Sequence, residues 1–485
     1  MSIGRRVARA GLLVMFAAAT LAPGASSALA APATSPWGVQ SPAAFSASPL
    51  ESVSFVDCSN GWAVGSVAAN SNGDPAGDPL IIHTDDGGAT WTQQATPAGT
   101  TGSYLDKVQF IDKMNGWAVG NNGVIMRTTN GGLQWQLPDS VTPPLTSHLD
   151  GVWFSDPKHG WAATGFTSGG KMYVTSDGGI NWTDSGYALN AGDAEGVFAL
   201  DTTHAWAVGE NGDIAFFNGT SWSAQKNAVV NWNANPLANV FFRGPNLGWV
   251  VGSQGTVLHT TNGGTTYTQQ RGAPADSDTM PSLADVKFIS DTAGWAVGGE
   301  GTIISTTDGG TTWNTDVTNT TNQFEGLSFP NQTRGWAVGE AGMVRNYNTG
   351  LPTVDSVTPA SGTTVGGDKV VIKGCGFTGA TKIAFGNVNA TSFKVDSDTQ
   401  VTVTTPAAPA GKVDVVVTND LGSSVLSAAD QFTFVAPPPP ALPKAGAGSG
   451  QRDVAWWLEL PLVVLALGVA MAFLRRRRAT RRDAC

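Results

Sequence analysis

Gly116-Trp117-Ala118-Val119-Gly120 decides the fold, because it recurs. Its tryptophan returns in altered copies of the stretch at Trp62, Trp161, Trp206, Trp249, Trp295 and Trp336. Successive spacings of 55, 44, 45, 43, 46 and 41 residues suit a four-stranded propeller blade rather than a helical repeat. In the sixth copy, Val286 and Phe288 alternate with polar residues, Trp295 and Val297 alternate with small ones, and Thr302 to Thr306 is a β-branched run. These are three short strands. Asp308-Gly309-Gly310 then supplies a tight turn whose glycines accept positive φ, and Thr311-Thr312-Trp313 opens a fourth strand. Glycine and β-branched residues leave no apolar stripe of helical period, so no long helix is expected before residue 454.

The seventh unit reaches Met343-Val344-Arg345-Asn346-Tyr347 and ends without the turn and tryptophan strand of the others. The missing piece lies near the N-terminus, where Trp37-Gly38-Val39-Gln40-Ser41-Pro42 parallels the stretch from Trp91 to Pro97. Trp37 precedes Phe55 by 18 positions and Trp91 precedes Phe110 by 19. The strand at Trp37 is therefore expected to complete the seventh blade beside Tyr347, closing the ring and removing exposed sheet edges. The expected fold is all-β: a seven-bladed propeller over residues 33–350 closed by its N-terminal strand, followed by an immunoglobulin-like β-sandwich and a C-terminal transmembrane helix.

Asp85-Asp86-Gly87-Gly88-Ala89-Thr90-Trp91, Ser176-Asp177-Gly178-Gly179-Ile180-Asn181-Trp182 and Asp308-Gly309-Gly310-Thr311-Thr312-Trp313 resemble the Asp-box of sialidase-type propellers. Together with the Gly-Trp-Ala-Val-Gly strand, they resemble still more the photosystem II stability and assembly factor family, over roughly residues 35 to 350. The resemblance implies that the Asp-box carboxylate caps backbone N–H groups while its tryptophan packs between blades. The seven strand tryptophans, five turn tryptophans and Trp37 make 13 of the 17 in the chain, which assigns this aromatic wealth to the core rather than to a sugar site. Asp57, Asp112, Asp156, Asp201 and Asp291 close the inner strand and are expected to cap turns rather than bind calcium.

After Gly350, Val357-Thr358-Pro359-Ala360-Ser361-Gly362, Gly366-Gly367, Val370 to Phe377 and Val413 to Asn419 resemble the IPT/TIG immunoglobulin-like domain, placed at residues 351–436. In surface proteins such domains commonly act as spacers and occasionally as binding modules, and a spacer is the expectation here. Pro437 to Pro440 begin a stiff stalk over 437–453. Within it, Leu442-Pro443-Lys444-Ala445-Gly446 resembles a sortase sorting signal with Ala445 in the place of the usual threonine. Covalent attachment to peptidoglycan and a retained membrane span both stay open.

Arg5, Arg6 and Arg9, the apolar Gly11 to Ala22 and the small-residue site ending at Ala30 read as a signal peptide over residues 1–30. Val454 to Leu474 has the length of a membrane helix, and the arginines of 475–485 hold that side in the cytoplasm. The body is then displayed on the outer cell surface. Residues 32–440 carry 16 basic and 34 acidic residues, which excludes nucleic acid as a partner and departs from the basic face expected of the assembly factors. Cys58 and Cys375 fall in different domains and are expected as separate buried residues, without a disulfide framework.

Sialidase-like hydrolysis needs converging arginines, yet Arg127, Arg243, Arg271, Arg334 and Arg345 are scattered. No phosphate loop, zinc spacing or nucleophile elbow is present, so no enzyme, cofactor or metal is expected. A binding surface is expected on the upper face, where the hairpins between second and third strands carry Asn121, Asn122, Glu210, Asn211, Gln254, Glu300 and Glu340. Trp232 lies outside the repeat register and joins that candidate set. The leading expectation is a surface binding or adhesion module for a protein or glycan. The alternatives are a scaffold for assembly of a membrane or envelope complex and, last, an Asp-box glycoside hydrolase.

Overall fold

Each repeat opens with an inner strand: Leu50–Phe55, Leu105–Phe110, Leu149–Phe154, Ala194–Asp201, Leu237–Phe242, Leu283–Phe288 and Phe324–Ser328. The computed structural model describes residues 35–67, 77–165, 170–189, 192–225, 236–272 and 280–437. The Gly-Trp stretch forms the second strand of every repeat and pairs antiparallel with the inner one. Each inner strand lies beside the next, and Leu50–Phe55 also lies beside Phe324–Ser328, so the sheets close on themselves as a propeller-like ring. At the closure, Trp37–Val39 pairs with Met343–Asn348, and Trp37 stands opposite Tyr347.

One side-chain rule joins sheet to sheet. Trp62 stacks on Phe110, Trp117 on Phe154, Trp206 on Phe242, Trp249 on Phe288 and Trp336 on Phe55, with ring centroids 3.5–3.6 Å apart. Trp295 stacks on Phe329 at 4.2 Å. The glycine that lies opposite each of these phenylalanines in its own sheet, just before that sheet's tryptophan, is required, because a Cβ at Gly116 would run into the Phe110 ring. The indole N–H then reaches across to the Asp-box turn of the next sheet: Trp62 to the Gly131 carbonyl, Trp117 to Gly178, Trp206 to Gly263, Trp249 to Gly309 and Trp336 to Gly87, at 2.9–3.3 Å.

The Asp-box behaves as its resemblance implies. Asp86 Oδ1 accepts from the Thr90 N–H, and Asp308 Oδ1 from the Thr312 N–H. Those bonds from Thr312 hold the Asp308 carboxyl below its ordinary range. Asp57, Asp112, Asp156 and Asp201 cap the turn after the inner strand, as expected. Asp291 does not. It sits one residue past the capping position, which Ser290 fills, and it pairs with Arg243 instead. Two sheets depart from four strands: the second ends in a single bridge between Arg127 and Gln136, and the third gains Ser140–Thr142 as a parallel fifth strand.

The domain that follows Gly350 is a sandwich of two sheets over a core that includes Val370, Ile372, Phe385, Val401, Val403, Val415, Val417 and Phe432. Asn419 donates to the Gly350 carbonyl at 2.8 Å where the chain leaves the propeller. The expectation of separate thiols is corrected here, because Cys58 and Cys375 form a disulfide across 317 residues of sequence. Packing places the end of strand Lys369–Cys375 against the turn after the first inner strand, a neighbourhood that residue spacing does not reveal.

Residues 1–30, Trp232, Leu442, Pro443, Lys444, Ala445, Gly446, the segment 454–474 and the basic tail 475–485 lie outside the described residues. Among the described residues, no helix is long and apolar enough to cross a membrane.

Candidate functional site

Every inner strand is irregular at the same point. The register shifts between Leu50 and Ser52, Leu105 and Lys107, Leu149 and Gly151, Ala194 and Gly196, Leu237 and Asn239, Leu283 and Asp285, and Phe324 and Gly326. A bulge leaves one residue unpaired and re-aims its side chain. The seven bulged residues are Glu51, Asp106, Asp150, Glu195, Ala238, Ala284 and Glu325. Five are carboxylates, gathered around one mouth of the central channel.

Their crowding shows in their chemistry. Burial, with Glu325 beside it, pushes Glu51 up to about 8. Burial likewise pushes Glu325 up to about 7, against the pull of its Gln323 hydrogen bond. Asp106 and Asp150 are raised by burial too. His148 answers part of this charge. Its Nε2 lies 2.6 Å from Asp106 Oδ2 and its Nδ1 3.5 Å from Asp150 Oδ1. Burial opposes the imidazolium, but the two carboxylates prevail and raise His148 to about 8.

Asp106, His148 and Asp150 bring ligand atoms within 4.8 Å of one another, as do Asp193, Glu195 and Glu210. Either set has the donor chemistry for a divalent cation. In the first set the protonated His148 already answers the carboxylates.

Below the mouth, the next inward residues line a cavity of about 340 Å³. Lys107, Asn239, Asp285 and Lys287 reach into it together with Trp153 and Phe241. Asp285 accepts from the Asn239 amide at 2.7 Å and from the Leu327 N–H at 3.0 Å. Lys287 Nζ lies 4.7 Å from the Trp153 ring centre and 5.4 Å from that of Phe241, so the rings help hold a cation whose burial lowers its pKa. Deeper side chains tie inner strands that share no backbone ladder: Ser54 accepts from Phe110 N–H, Ser328 from Phe55 N–H, and Trp153 donates to the Ala199 carbonyl.

Of the hairpin residues expected at the site, Glu340 joins the mouth, adding its charge to Glu51 and Glu325 and accepting from the Gln323 N–H at 3.2 Å. Glu210 joins Asp193 and Glu195. Asn122, Asn211, Gln254, Glu300 and Ala341 occupy the left-handed region, with φ of 55° to 59°. Asparagine tolerates that region well, so Asn122 and Asn211 serve the hairpin itself. Asn121 precedes Asn122 in the same turn. Gln254 and Glu300 stand on the two sheets whose bulged residue is alanine, where the carboxylate arc is interrupted.

Sequence reading missed Glu51, Asp106, His148, Asp150, Glu195 and Glu325. For the five carboxylates the signal was available as one column of the repeat, the residue after the first apolar position of each inner strand; His148 stands before that position and no repeat column marks it.

The chain matches the family model of the photosynthesis system II assembly factor YCF48 over residues 30–192 and 269–348, just over half of its 485 residues, and that of the IPT/TIG domain over 352–434. No curated protein sequence matches it. It is similar to a solved YCF48 bound to a D1 peptide, at 21% identity and a TM-score of 0.51, covering 64% of this chain and 97% of that one. It is also similar to YCF48 from Cyanidioschyzon merolae, at 23% identity and a TM-score of 0.48, covering 64% and 98%. The WD40 β-propeller domain of Doa1 is a further likeness, at 11% identity and a TM-score of 0.44, covering 62% and 92%.

Proposed function

The chain belongs to the photosynthesis system II assembly factor YCF48 family, and from that premise we propose that it is a non-catalytic scaffold that binds a protein segment and assists assembly of a membrane or envelope complex. The observation that carries the reading is the arc of five bulge-borne carboxylates, Glu51, Asp106, Asp150, Glu195 and Glu325, set over a channel cavity. Such a mouth favours a partner segment bearing lysine or arginine, and charge complementarity sets its approach and register. Glu51 and Glu325 hold protons near neutrality, so a docking cation drives them to ionise. Binding is coupled to proton release. That a YCF48 is solved with a D1 peptide supports a polypeptide as the partner class here.

In this reading the ring has seven blades closed by the strand at Trp37, and the TIG domain spaces it from an anchor in the C-terminal segment. Export to an oxidising compartment accords with the Cys58–Cys375 disulfide. The expectation of a surface adhesion module rests on the two ends of the chain. Family membership and the acidic mouth favour the assembly role over it.

Affinity purification of the full-length protein from its own cell envelope, with and without Asp106→Asn and Glu195→Gln, tests the proposal. One stoichiometric membrane complex is expected with the unaltered chain, recovered better at pH 8.5 than at pH 6 and about tenfold less with the double variant. Recovery of no protein partner, or of one indifferent to these carboxylates and to salt, refutes it.

A further inference from the structure

The rule that joins neighbouring sheets fails at one place. Trp161 has no phenylalanine to stack on, because Ala199 holds that position in the next inner strand. Ala205 accordingly replaces the glycine that the ring demands elsewhere, since no ring crowds its Cβ. The Asp-box is absent from this sheet as well. A short turn, closed by the Thr220 and Ser221 N–H groups on Asn218 Oδ1, stands where a glycine carbonyl accepts the indole N–H in other sheets. Trp161 is therefore 4% exposed, with a buried Nε1 that has no hydrogen-bond partner.

Beside this irregular boundary a cavity of about 520 Å³ opens between the third and fourth sheets, with Trp161 in its wall. That size falls within the range of small-molecule sites, roughly 300–1,000 Å³. Its aromatic walls are Trp161, Tyr187, Phe217 and Trp222; the Trp222 Nε1 is buried without a partner, as are those of the turn tryptophans Trp91, Trp182 and Trp313, so the Trp161 N–H is the donor peculiar to this boundary. Its rim is rich in hydroxyls, from Thr183, Ser185 and Thr220 among others. No lysine or arginine lines it. The Asp177 carboxylate at its edge is turned into its own Asp-box, accepting from the Asn181 N–H and amide and from the Thr175 hydroxyl.

We propose that this cavity binds the pyranose ring of a neutral glycan. A sugar ring offers apolar C–H faces to aromatic walls and hydroxyl oxygens around its edge, and those oxygens supply the acceptors that two buried indole N–H groups lack. A hydrocarbon occupant leaves both N–H groups unmet, and an anionic one finds no lysine or arginine, only His159, whose Nδ1 is already 2.8 Å from Asp156 Oδ2. The site lies on turns that follow the third strand of a sheet, whereas the acidic mouth involves turns that follow the second. In an antiparallel sheet these are opposite ends, so the two sites stand apart.

Calorimetric titration of the full-length protein with glucose, galactose, mannose, N-acetylglucosamine and their short oligomers tests the assignment. One saturable site is expected for at least one of these sugars, with a change in tryptophan fluorescence. Ala199→Phe with Ala205→Gly sets a ring against Trp161, one wall of the cavity, and should weaken binding at least about tenfold while leaving the fold at least as heat-stable. Tyr187→Ala, on a half-buried wall, should weaken binding about tenfold and carries the test where the double variant does not fold. Absence of binding to every sugar in the panel overturns the proposal. So does binding that survives both substitutions, or occupation of the cavity by an aromatic peptide in preference to sugar.

Discussion

Replacing Trp37 by alanine is expected to destabilise the ring far more than the length of its three-residue strand suggests. The side chain is 6% exposed and packs edge-on to Phe329 and Tyr347, with ring centroids 5.9 Å and 5.4 Å away. Its Nε1 donates to Asp316 Oδ2 at 3.0 Å, a carboxylate otherwise held by Ser305 and raised by burial. Removing a buried tryptophan costs about 3–5 kcal/mol through lost transfer energy and the cavity left behind. At about 2–4 °C per kcal/mol for a domain approaching this size, the melting temperature should fall by roughly 6–20 °C. Trp37→Phe keeps the ring contact but leaves Asp316 short of a donor, and should cost about 1–2 kcal/mol. Val39→Ala, at a residue 70% exposed in the same strand, is the control and should stay within about 0.5 kcal/mol. Thermal and urea unfolding of the three variants decides the matter. Trp37→Ala that melts with the unaltered protein, or Val39→Ala that falls as far, refutes the idea that this residue locks the last sheet to the first strand. Light scattering on heating gives a second readout, because loss of the strand exposes the edge of Met343–Asn348 to other chains.

Further outcomes follow from the same geometry. Gly116→Ala drives a Cβ into the Phe110 ring and should cost about 1–3 kcal/mol, while Phe110→Ala relieves the clash. A double-mutant cycle by urea unfolding should show a coupling of about 1–2 kcal/mol, and additive effects would contradict the packing rule. Reducing the Cys58–Cys375 bond, which spans 317 residues, should cost about 2–5 kcal/mol, measured as a shift in urea midpoint that Cys58→Ser reproduces. A denatured, unreduced chain should present one thiol to a labelling reagent and three after reduction. Stability should also fall as pH rises from 5 to 8.5. Glu51 moves from 4.5 to about 8 and Glu325 from 4.5 to about 7, so the folded state holds protons that the unfolded chain has released; their contribution is full below about 4.5 and lost through 7–8. His148, raised to about 8, adds a loss of the same sign. The Glu51 displacement is worth at most ~5 kcal/mol, and water at the open mouth screens it to about 1–2 kcal/mol. Glu51→Gln should flatten the profile, and urea midpoints that rise with pH would contradict the sign.

What the sequence made legible is what the repeat imposes seven times. A glycine before a tryptophan, a β-branched strand and an Asp-Gly-Gly turn are local demands, and recurrence at fixed spacing tells them from chance. Even the closure was readable, because Trp37 falls at the place in the period that Tyr347 leaves open. The site was harder for a physical reason. A bulge is invisible in alternation, since it breaks the two-residue period by one residue, and Glu51, Asp106, Asp150, Glu195 and Glu325 look in sequence like ordinary outward positions of a half-buried strand. The hairpin residues drew attention by being polar and exposed, yet Asn122 and Asn211 are chosen by backbone angle. The disulfide lay beyond any local rule, because Cys58 and Cys375 meet only through domain packing.

The departures from the repeat carry a different kind of information from the repeat itself. Ala199 and Ala205 are each unremarkable as a small buried residue, but they change together at the two positions where the packing rule pairs a ring with a glycine. A lone loss of the phenylalanine would leave a void beside a glycine. The alanine at 205 fills the methyl-sized part of that void on its own strand, and Phe217, opposite it where the regular sheets carry a threonine, packs edge-on to Trp161. Without the Asp-box turn as well, the indole N–H loses the acceptor it has in the regular sheets. Phe217 thus compensates part of the lost ring, while nothing replaces the lost acceptor of the Trp161 N–H, and the cavity beside it keeps that unmet donor. If the cavity serves no ligand, Ala199→Phe with Ala205→Gly should raise the melting temperature by several degrees and alter no binding. If it serves a sugar, the same gain in stability comes with the loss of that sugar, and the two outcomes separate a defect from a site.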